Sequence, residues 1–241
     1  MYELLKKLAP KTLIKRNEPI IRTFISLFYK GDRFQCTICD FKMSRFITLK
    51  KDDKLCPKCG SLARTRRLWT LLSPIAENAK ILHFSPSKSI RIRLKSLMDT
   101  TYITTDYAGE FEAMKRLNIE SIDEPDNQYD IVICYHVLEH IENDLKAMQE
   151  LYRITKDNGI CIIQTPFKVG EIYEDNSLTT EEDRLLHFGQ KDHVRIYSVK
   201  GLMHRLSTAG FQTTKQSYKE SKNNRNGFHF NETIILAKKH A

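Results

Sequence analysis

Three features are missing from this sequence, and each absence narrows what the chain is. No apolar run is long enough to span a bilayer, because the most helix-like candidate, Glu18–Tyr29, is short and contains Arg22. No secretory signal precedes the cysteines, which disfavours disulfides. No glycine follows the predicted strand Lys80–Phe84, where a nucleotide-binding loop would normally carry several. We therefore expect a cytoplasmic globular protein without a glycine-rich phosphate-binding loop after that strand.

Basic charge is concentrated in the first third of the chain. Residues 1–70 contain 17 Lys and Arg against 6 Asp and Glu, whereas residues 71–241 contain 22 against 24. Hydrophobic residues make up 41% of the chain and charged residues 29%, which is ordinary for a globular protein. The asymmetry predicts two parts with different roles.

Two cysteine pairs form the strongest local motif. Cys36 and Cys39 form one Cys-x-x-Cys motif, Cys56 and Cys59 form a second, and 16 residues separate the two motifs. A two-residue gap lets both thiolates of a pair face one point, so the four sulfurs can hold a tetrahedral zinc ion. Disulfides and a thioredoxin-like redox pair are the alternatives. We expect a zinc ribbon whose ion is structural, because four protein ligands leave no position for water.

Helices are predicted on both sides of this ribbon. Glu18–Tyr29 has a broad apolar face with basic neighbours, and packing on the protein, contact with an anionic membrane surface and contact with RNA all remain open for it. Leu62–Leu72 is expected to be a linking helix. The predicted domains are a basic helical segment at 1–34, the ribbon at 35–62, the linker at 63–79 and a main domain at 80–241.

A strand, a helix and a second strand can be identified in the main domain. The runs Ile131–Cys134 and Ile160–Ile163 are short, apolar and β-branched, as in strands buried on both faces of a parallel sheet. The segment between them, Glu142–Thr155, has helical apolar spacing, and we expect Gly159 to mark the end of that helix. Cys134 and Cys161 are expected to be core residues. Ligands bind at the carboxyl ends of strands in such sheets, which places Tyr135 and His136 at a candidate site.

The stretch Tyr129–Ile141, with its His-Val-Leu-Glu-His sequence, resembles class I S-adenosylmethionine-dependent methyltransferases, especially the ubiquinone-biosynthesis branch. The resemblance covers about two thirds of the chain, from about Lys80 to Lys238. It implies an α/β, Rossmann-like sheet that is mostly parallel, has an antiparallel last strand and carries helices on both faces. It also implies S-adenosylmethionine as the cofactor.

The same resemblance implies a set of cofactor-binding residues. Asp106, at the end of the strand Tyr102–Thr105, corresponds to the acidic residue that accepts hydrogen bonds from the ribose hydroxyls. Ser85 is expected to cap a helix that starts at Pro86, which would aim free N–H groups at the cofactor carboxylate. Asn118 stands where the family has an aspartate beside the adenine. The full set is Phe84, Ser85, Pro86, Ser87, Asp106, Asn118, Ile119, Tyr135 and His136.

A polar insertion, residues 167–197, precedes the last predicted helix, and we expect it to form a lid over the carboxyl edge of the sheet. Methyl transfer to a hydroxyl needs a base, and histidine suits neutral pH. We expect His193 to be that base, oriented by Asp192 or Arg195, with His187 as the alternative. Gln190, Asp192 and Tyr197 are expected to bind substrate. No cluster of carboxylates indicates a catalytic metal.

The acceptor is the least determined feature. A main domain with slightly negative net charge favours a small molecule, such as a sugar or another metabolite, and the resemblance of the lid to that of uncharacterised bacterial methyltransferases also favours it. An rRNA or tRNA methyltransferase is the alternative, in which the basic ribbon would bind RNA, although that ribbon lacks an RNA-reading aromatic pattern. A non-catalytic binding protein is the third reading. The oligomeric state is not predicted.

Overall fold

The computed structural model describes residues 11–240, apart from the side chains of residues 11–16 and 51. Two compact units are present. The first contains the described residues up to Ile75 together with Ser89–Ser96 and Tyr218–Glu232. The second contains Ala76–Lys88, Leu97–Ser217 and the residues from Thr233 onward. Residues 1–10 of the predicted basic segment lie outside the described residues.

The first unit consists of short elements around the cysteines. Its strands form two antiparallel pairs, β1 (Lys30–Gln35) with β2 (Lys42–Met43) and β3 (Ile47–Thr48) with β4 (Lys54–Leu55), and both pairs are too small to provide a core. A 3-10 turn, Lys50–Asp52, lies between β3 and β4. The elements are α1 (Lys11–Leu27), β1 (Lys30–Gln35), β2 (Lys42–Met43), β3 (Ile47–Thr48), β4 (Lys54–Leu55) and α2 (Ala63–Leu72).

Helix α1 begins earlier than the predicted Glu18–Tyr29 and contains Pro19. Its apolar side chains do not all pack inward. Ile25 is buried and Arg22, paired with Glu18, is nearly so. Several apolar side chains are about half exposed or more, namely Ile20, Phe24 and Leu27 in the helix and Phe28 directly after its end. Among the described residues, no helix is long and apolar enough to cross a membrane.

The second unit is built on a six-stranded sheet, which confirms the predicted mostly parallel sheet with an antiparallel last strand. In spatial order the strands are β12 (Gln212–Lys219), β13 (Asn231–Lys238), β8 (Thr155–Gln164), β7 (Tyr129–Tyr135), β5 (Lys80–Phe84) and β6 (Thr101–Thr105). Neighbours β6, β5, β7 and β8 are parallel and β13 is antiparallel to β8. Apolar side chains of β7 and β8, such as Val132 and Ile163, pack with helix α4 in one core. The elements that follow α2 along the chain are β5 (Lys80–Phe84), α3 (Lys88–Lys95), β6 (Thr101–Thr105), β7 (Tyr129–Tyr135), the 3-10 turn Leu138–His140, α4 (Asp144–Ile154) and β8 (Thr155–Gln164). All of these except α3 lie in the second unit, since Ser89–Lys95 belong to the first.

The connection between α4 and β8 differs from the prediction. The helix ends at Ile154 and the strand starts at the next residue, so Gly159 lies inside β8 rather than at a helix end. A Cβ at Gly159 would come within 3.0 Å of the Asp130 carbonyl oxygen, and Asn158 has a φ of 63°. The β7–β8 register is irregular here. The glycine therefore allows a bulge against a neighbouring backbone.

The predicted lid has regular structure of its own. A small sheet, ordered β10-β11-β9, and one helix make up most of it. Thr180 caps that helix at its start, and Gly189, with a φ of 83°, follows its last residue. The remaining elements are β9 (Phe167–Lys168), β10 (Tyr173–Glu174), α5 (Glu181–Phe188), β11 (Arg195–Ser198), α6 (Val199–Thr208), β12 (Gln212–Lys219) and β13 (Asn231–Lys238).

Candidate functional site

The four predicted metal-binding cysteines of the first unit lie together. The Sγ atoms of Cys36 and Cys59 are 3.7 Å apart, and those of Cys39 and Cys56 are 3.8 Å apart. Sulfurs at the corners of a tetrahedral zinc site with bonds of ≈ 2.3 Å would be about 3.8 Å apart. All four thiols are free. The cluster therefore has the donor set and the spacing that fit a zinc ion.

Two similar backbone turns produce this arrangement. The amide of Asp40 donates to the Cys36 carbonyl at 2.9 Å, and the amide of Gly60 donates to the Cys56 carbonyl at 3.0 Å. Both turn residues have positive φ, 56° at Asp40 and 75° at Gly60. The Ser61 hydroxyl lies 3.2 Å from the sulfurs of both Cys36 and Cys59. Each two-residue gap is thus closed by a hydrogen bond that points its thiols inward.

The carboxyl edge of the six-stranded sheet brings together the predicted cofactor residues of the second unit. Phe84, Thr105, Tyr135 and Gln164 end the four parallel strands. The chain changes direction sharply at this edge. Ser85 follows β5 with a φ of 48°, and His136 follows β7 with a φ of 54°. Left-handed backbone at non-glycine residues is uncommon and is concentrated at functional sites.

Ser85 does not cap a helix, contrary to the sequence-based expectation. Helix α3 starts at Lys88, after Pro86 and Ser87, and the Ser85 hydroxyl instead donates to Oδ1 of Asp106 at 2.7 Å. Oδ2 of Asp106 accepts from the Phe111 amide at 3.1 Å. The left-handed turn at Ser85 directs its side chain across to β6, which a helical N-cap conformation would not do. The Asp106 carboxylate is therefore buried and held in one orientation at the strand end.

The predicted adenine-side segment is an irregular stretch after β6. Asn118 is exposed, and its Oδ1 accepts from the amide of Glu120 at 3.0 Å. Ile119 is buried and packs in the hydrophobic core. The amide of Leu117 donates to the Thr105 hydroxyl at 3.0 Å, which ties this stretch to the end of β6.

Glu139 was not singled out from the sequence, although it lies in the motif that carried the resemblance. Its carboxylate is 1% exposed, and Oε1 lies 3.1 Å from Nδ1 of His136. Burial opposes ionisation, but the interactions with His136, a backbone hydrogen bond and the nearby His140 together lower the pKa of Glu139. Among the described residues, neither Oε2 of Glu139 nor Nε2 of His136 has a hydrogen-bond partner, although both atoms are buried.

The predicted lid segment, residues 167–197, places His193 close to Glu139. Ligand atoms of Glu139, His140 and His193 all lie within 4.8 Å of one another. The rings of His140 and His193 meet edge to face, with centroids 4.6 Å apart. Their spacing would allow the three to hold a divalent cation together. Sequence reasoning missed this group because His193 lies 53 residues after His140 and only one member is a carboxylate.

His193 itself is 3% exposed, and its Nε2 atom is buried without a hydrogen-bond partner in the described part of the chain. Burial lowers the pKa of His193. The predicted orienting residue Asp192 pairs instead with His140, at 3.0 Å from Nδ1. The amide of Val194 donates to the Glu139 carbonyl at 2.9 Å, so backbone bonding sets the position of His193.

The other predicted lid residues occupy different surroundings. Arg195 is buried and donates to the carbonyls of Leu138, Ile141 and Glu142, which fastens β11 to the turn after β7. Tyr197 is fully buried, and its hydroxyl contacts Asp144. His187 and Gln190 are exposed, and Nδ1 of His187 lies 2.6 Å from the Tyr173 hydroxyl.

Unmet hydrogen-bonding capacity thus collects at the ends of β7 and β8. The end of β8 supplies two more buried atoms without partners in the described residues, Oε1 of Gln164 and Oγ1 of Thr165, which directly follows the strand. The carbonyl of Gln164 accepts from the His136 amide, which joins the two strand ends. Buried polar atoms are rarely left unpaired in folded proteins, so their concentration at one edge makes this edge a candidate ligand site.

Three comparisons with known proteins bear on this site. A family model described as a methyltransferase domain matches residues 70–216. Ubiquinone biosynthesis O-methyltransferase of Rickettsia bellii is 44% identical over 50 residues, which is 21% of this chain and 21% of that enzyme. The chain therefore spans about a fifth of the length of the curated relatives it matches.

Solved structures agree on the fold. An S-adenosylmethionine-dependent methyltransferase from Archaeoglobus fulgidus has a TM-score of 0.52 at 16% identity, over 73% of this chain and 93% of that one. The [4+2]-cyclase SpnF has a TM-score of 0.51 at 15% identity, over 73% and 81%. Since a cyclase is among them, the fold alone does not decide the chemistry. The family model matches more than half of the chain, so the chain belongs to the methyltransferase-domain family, with the fold of the S-adenosylmethionine-dependent enzymes.

Proposed function

We propose that this protein transfers a methyl group from S-adenosylmethionine to a hydroxyl group of a small molecule, such as a sugar or a related metabolite. The observation that carries the proposal is the set of buried, unpartnered polar atoms at the ends of β7 and β8. Such atoms are stabilised when a polar ligand replaces the missing partners. The short O-methyltransferase match supports transfer to oxygen.

The cofactor would be held along the ends of β5, β6 and β7. Each oxygen of Asp106 accepts one protein hydrogen bond and retains a further lone pair for a ribose hydroxyl. When bound, S-adenosylmethionine supplies an electrophilic methyl group on a sulfonium that is already a good leaving group. The other proposed contacts are Phe84, Ser85, Pro86, Ser87, Asn118, Ile119, Tyr135 and His136.

His193 is the proposed general base. A pKa lowered by burial keeps its imidazole neutral at physiological pH, so Nε2 can accept the proton of an acceptor hydroxyl. The neighbouring carboxylate of Glu139 would then stabilise the imidazolium. Arg195 is proposed as a positioning residue, because its guanidinium is already bound to the carbonyls of the 138–142 turn. His187 remains the alternative base, and Gln190 and Asp192 are the proposed substrate contacts; the burial of Tyr197 favours a supporting role for that residue.

The same three groups support a second role for His193, as a ligand of a divalent cation with Glu139 and His140. The two roles separate experimentally, because a metal ligand makes turnover sensitive to chelators and a free base does not. The cysteine cluster takes no part in either version. We propose that it holds a structural zinc ion, which its four thiols would enclose completely.

An RNA acceptor is the second candidate function. The observation that favours it is the charge of the first unit, where residues 17–70 contain 12 Lys and Arg against 5 Asp and Glu. The exposed apolar side chains of α1 also leave peripheral membrane contact as a prediction.

The test is release of S-adenosylhomocysteine from full-length protein given a panel of hydroxylated sugars and metabolites, with a structured RNA transcript as a separate arm. We expect one of the small molecules to be methylated and His193→Ala to lower kcat by about 10²- to 10⁴-fold. His204→Ala, which removes an exposed histidine from α6, is the matched control and should keep most of the activity, whereas a comparable loss in His187→Ala would assign the base to His187 instead. Turnover with RNA alone, or full activity of His193→Ala, would overturn the corresponding part of the proposal.

A further inference from the structure

A cationic groove of about 750 Å³ opens within the first unit, at a distance in sequence from every residue proposed for methyl transfer. One side is formed by the cysteine module and the other by the loop between β12 and β13. We propose that this groove binds single-stranded RNA. The residues that carry the proposal are Arg33, Phe34, Arg45, Lys54, Lys222 and Phe230.

Positive charge in the groove is not neutralised by the protein. Its lining includes two arginines and two lysines but only one carboxylate, that of Asp52. In the described part of the chain, none of those four cations lies within ion-pair distance of a carboxylate. Three of the four, Arg33, Arg45 and Lys222, are exposed. Cations left in this state attract phosphates and release the counterions that surround a nucleic-acid strand.

Two phenylalanines offer ring faces between these cations. Phe230 is 48% exposed, so its ring is accessible to a base from the groove. Phe34 is half-buried, its ring centroid lies 5.6 Å from that of the buried Phe46, and the Arg33 guanidinium carbon lies 5.2 Å from the Phe34 centroid. Bases stack on accessible aromatic rings for roughly 1–3 kcal/mol each, with little dependence on sequence. The aromatic pattern that the ribbon lacks in sequence is thus completed by a residue 196 positions away from Phe34.

The walls of the groove are fixed by one buried arginine. Arg66 donates to the carbonyls of Lys54 and Ser61 in the cysteine module and to those of Asn226 and Gly227 in the loop, at 2.6–2.9 Å. A Cβ at Gly227, which has a φ of 61°, would lie 2.4 Å from the Phe46 ring. The loop can approach this closely only because it has glycine there. A groove held in this way does not have to be ordered on binding, which favours affinity.

These features favour a single strand over other anions. In a duplex the base faces are already stacked, so Phe34 and Phe230 would find no partner. A polyanion without bases would use the cations but not the rings. A mononucleotide would use one ring and one or two cations, whereas a strand of several nucleotides can use all six residues.

The experiment measures fluorescence anisotropy of a labelled ten-nucleotide RNA with full-length protein and no S-adenosylmethionine. Failure here is therefore distinguishable from failure of the proposed methyl transfer. Wild-type protein should bind, with log K falling linearly as log salt rises. Arg33→Ala combined with Arg45→Ala should weaken binding at least tenfold and reduce the salt slope by about 1.4, since a single strand contributes ≈ 0.7 per phosphate contact.

Phe230→Ala should weaken binding about fivefold or more without changing the salt slope, because it removes stacking and no charge. The matched controls are Lys146→Ala and Leu186→Ala, which remove an exposed lysine and an exposed apolar side chain from the second unit. Both should bind as wild type. Zinc content and melting temperature are measured for every variant, so that loss of folding is recognised as such.

Three competitors define the ligand. Unlabelled single-stranded RNA should displace the probe at far lower concentration than a mononucleotide, inorganic polyphosphate or the duplex of the same sequence. Equal displacement by polyphosphate, with no effect of Phe230→Ala, would reduce the groove to a cation-exchange surface and overturn the proposal. Displacement by the mononucleotide at a similar concentration, or absence of salt-dependent binding, would overturn it as well.

Discussion

The cysteine cluster and the carboxyl edge of the sheet are both candidate sites, but they differ in how completely the protein satisfies them. Four thiols from two local turns approach one another to 3.7–3.8 Å, which leaves no room in a tetrahedral shell for anything except the ion. At the sheet edge, polar atoms from several segments are buried without partners in the described residues. The first arrangement is suited to a permanent ligand that stabilises a fold. The second is suited to molecules that bind, react and leave.

The largest effect is expected from a substitution in the cysteine cluster, which is the closed site of the two. Cys56→Ser should abolish zinc binding and unfold the first unit, because zinc binding supplies on the order of 10 kcal/mol in small cysteine modules and the short strands around it have little core. Zinc stoichiometry and near-ultraviolet circular dichroism would record both losses. Cys161→Ala, which removes a buried thiol from β8, is the control and should retain zinc. A Cys56→Ser protein that keeps a full equivalent of tightly bound zinc would show that the cluster is not the metal site.

A substitution at the carboxyl edge of the sheet, the open site, should have a different effect: the protein should fold and lose activity. Glu139→Gln keeps the shape of the side chain and removes the negative charge beside His136 and His193. We expect kcat to fall by about tenfold to a hundredfold, since the imidazolium formed at His193 loses its counter-charge.

The pH profile gives this variant a second readout. Glu139 raises the pKa of His193, against the larger lowering by burial, so its removal should lower that pKa further. The wild-type acid limb of kcat/KM is expected below pH 6.5, and in Glu139→Gln it should move to still lower pH. An acid limb that stays in place would argue against His193 as the group that titrates.

The two sites also differ in how far the sequence could reveal them. The cysteine spacing specifies its own geometry, because each pair closes over two residues. The order of elements likewise predicted the sheet, with Asp106 at the end of its second strand. The role of Asp106 as a ribose ligand came from the family resemblance and stays a prediction. Glu139, His140 and His193 were not recognised as a group, since only the path of the lid places His193 against the turn after β7.

Local backbone conformation was a further limit on prediction. The cap expected at Ser85 and the helix end expected at Gly159 followed from the common roles of serine and glycine. The structure uses Ser85 in a left-handed turn that directs its hydroxyl to Asp106, and Gly159 in a bulge packed on a neighbouring backbone. Both outcomes depend on partners from other strands, which propensity does not contain.

Asp106→Asn should have a smaller effect than Glu139→Gln, because it changes one proposed ligand-binding group at the open site. The amide presents one acceptor oxygen where the carboxylate presents two, so S-adenosylhomocysteine should bind roughly tenfold more weakly. Isothermal titration calorimetry would measure the dissociation constant, and the melting temperature without ligand would show whether the fold is intact. Ser85→Ala, which removes the hydroxyl that donates to Oδ1, is expected to have a weaker effect in the same direction. Unchanged affinity in Asp106→Asn would place the ribose elsewhere.

The smallest expected effect tests whether the first unit is as fully satisfied as its cysteine cluster. Glu232 is buried beside Arg67, with Oε2 3.5 Å from Nε, and burial outweighs this attraction and raises the pKa of Glu232 to about 7. The folded protein therefore holds a proton that the unfolded chain loses above pH 4.5, so this residue makes stability fall between about pH 4.5 and 7. Glu232→Gln should remove that fall, because the amide does not ionise. At pH 8 it should stabilise the protein by only about 1 kcal/mol, because loss of the charge on Glu232 also weakens its attraction to Arg67. Urea denaturation at pH 5 and pH 8 would measure the difference, with Glu182→Gln on the exposed surface of α5 as the control. A variant that is less stable than wild type at pH 8 would mean that the ion pair with Arg67 outweighs the cost of burial.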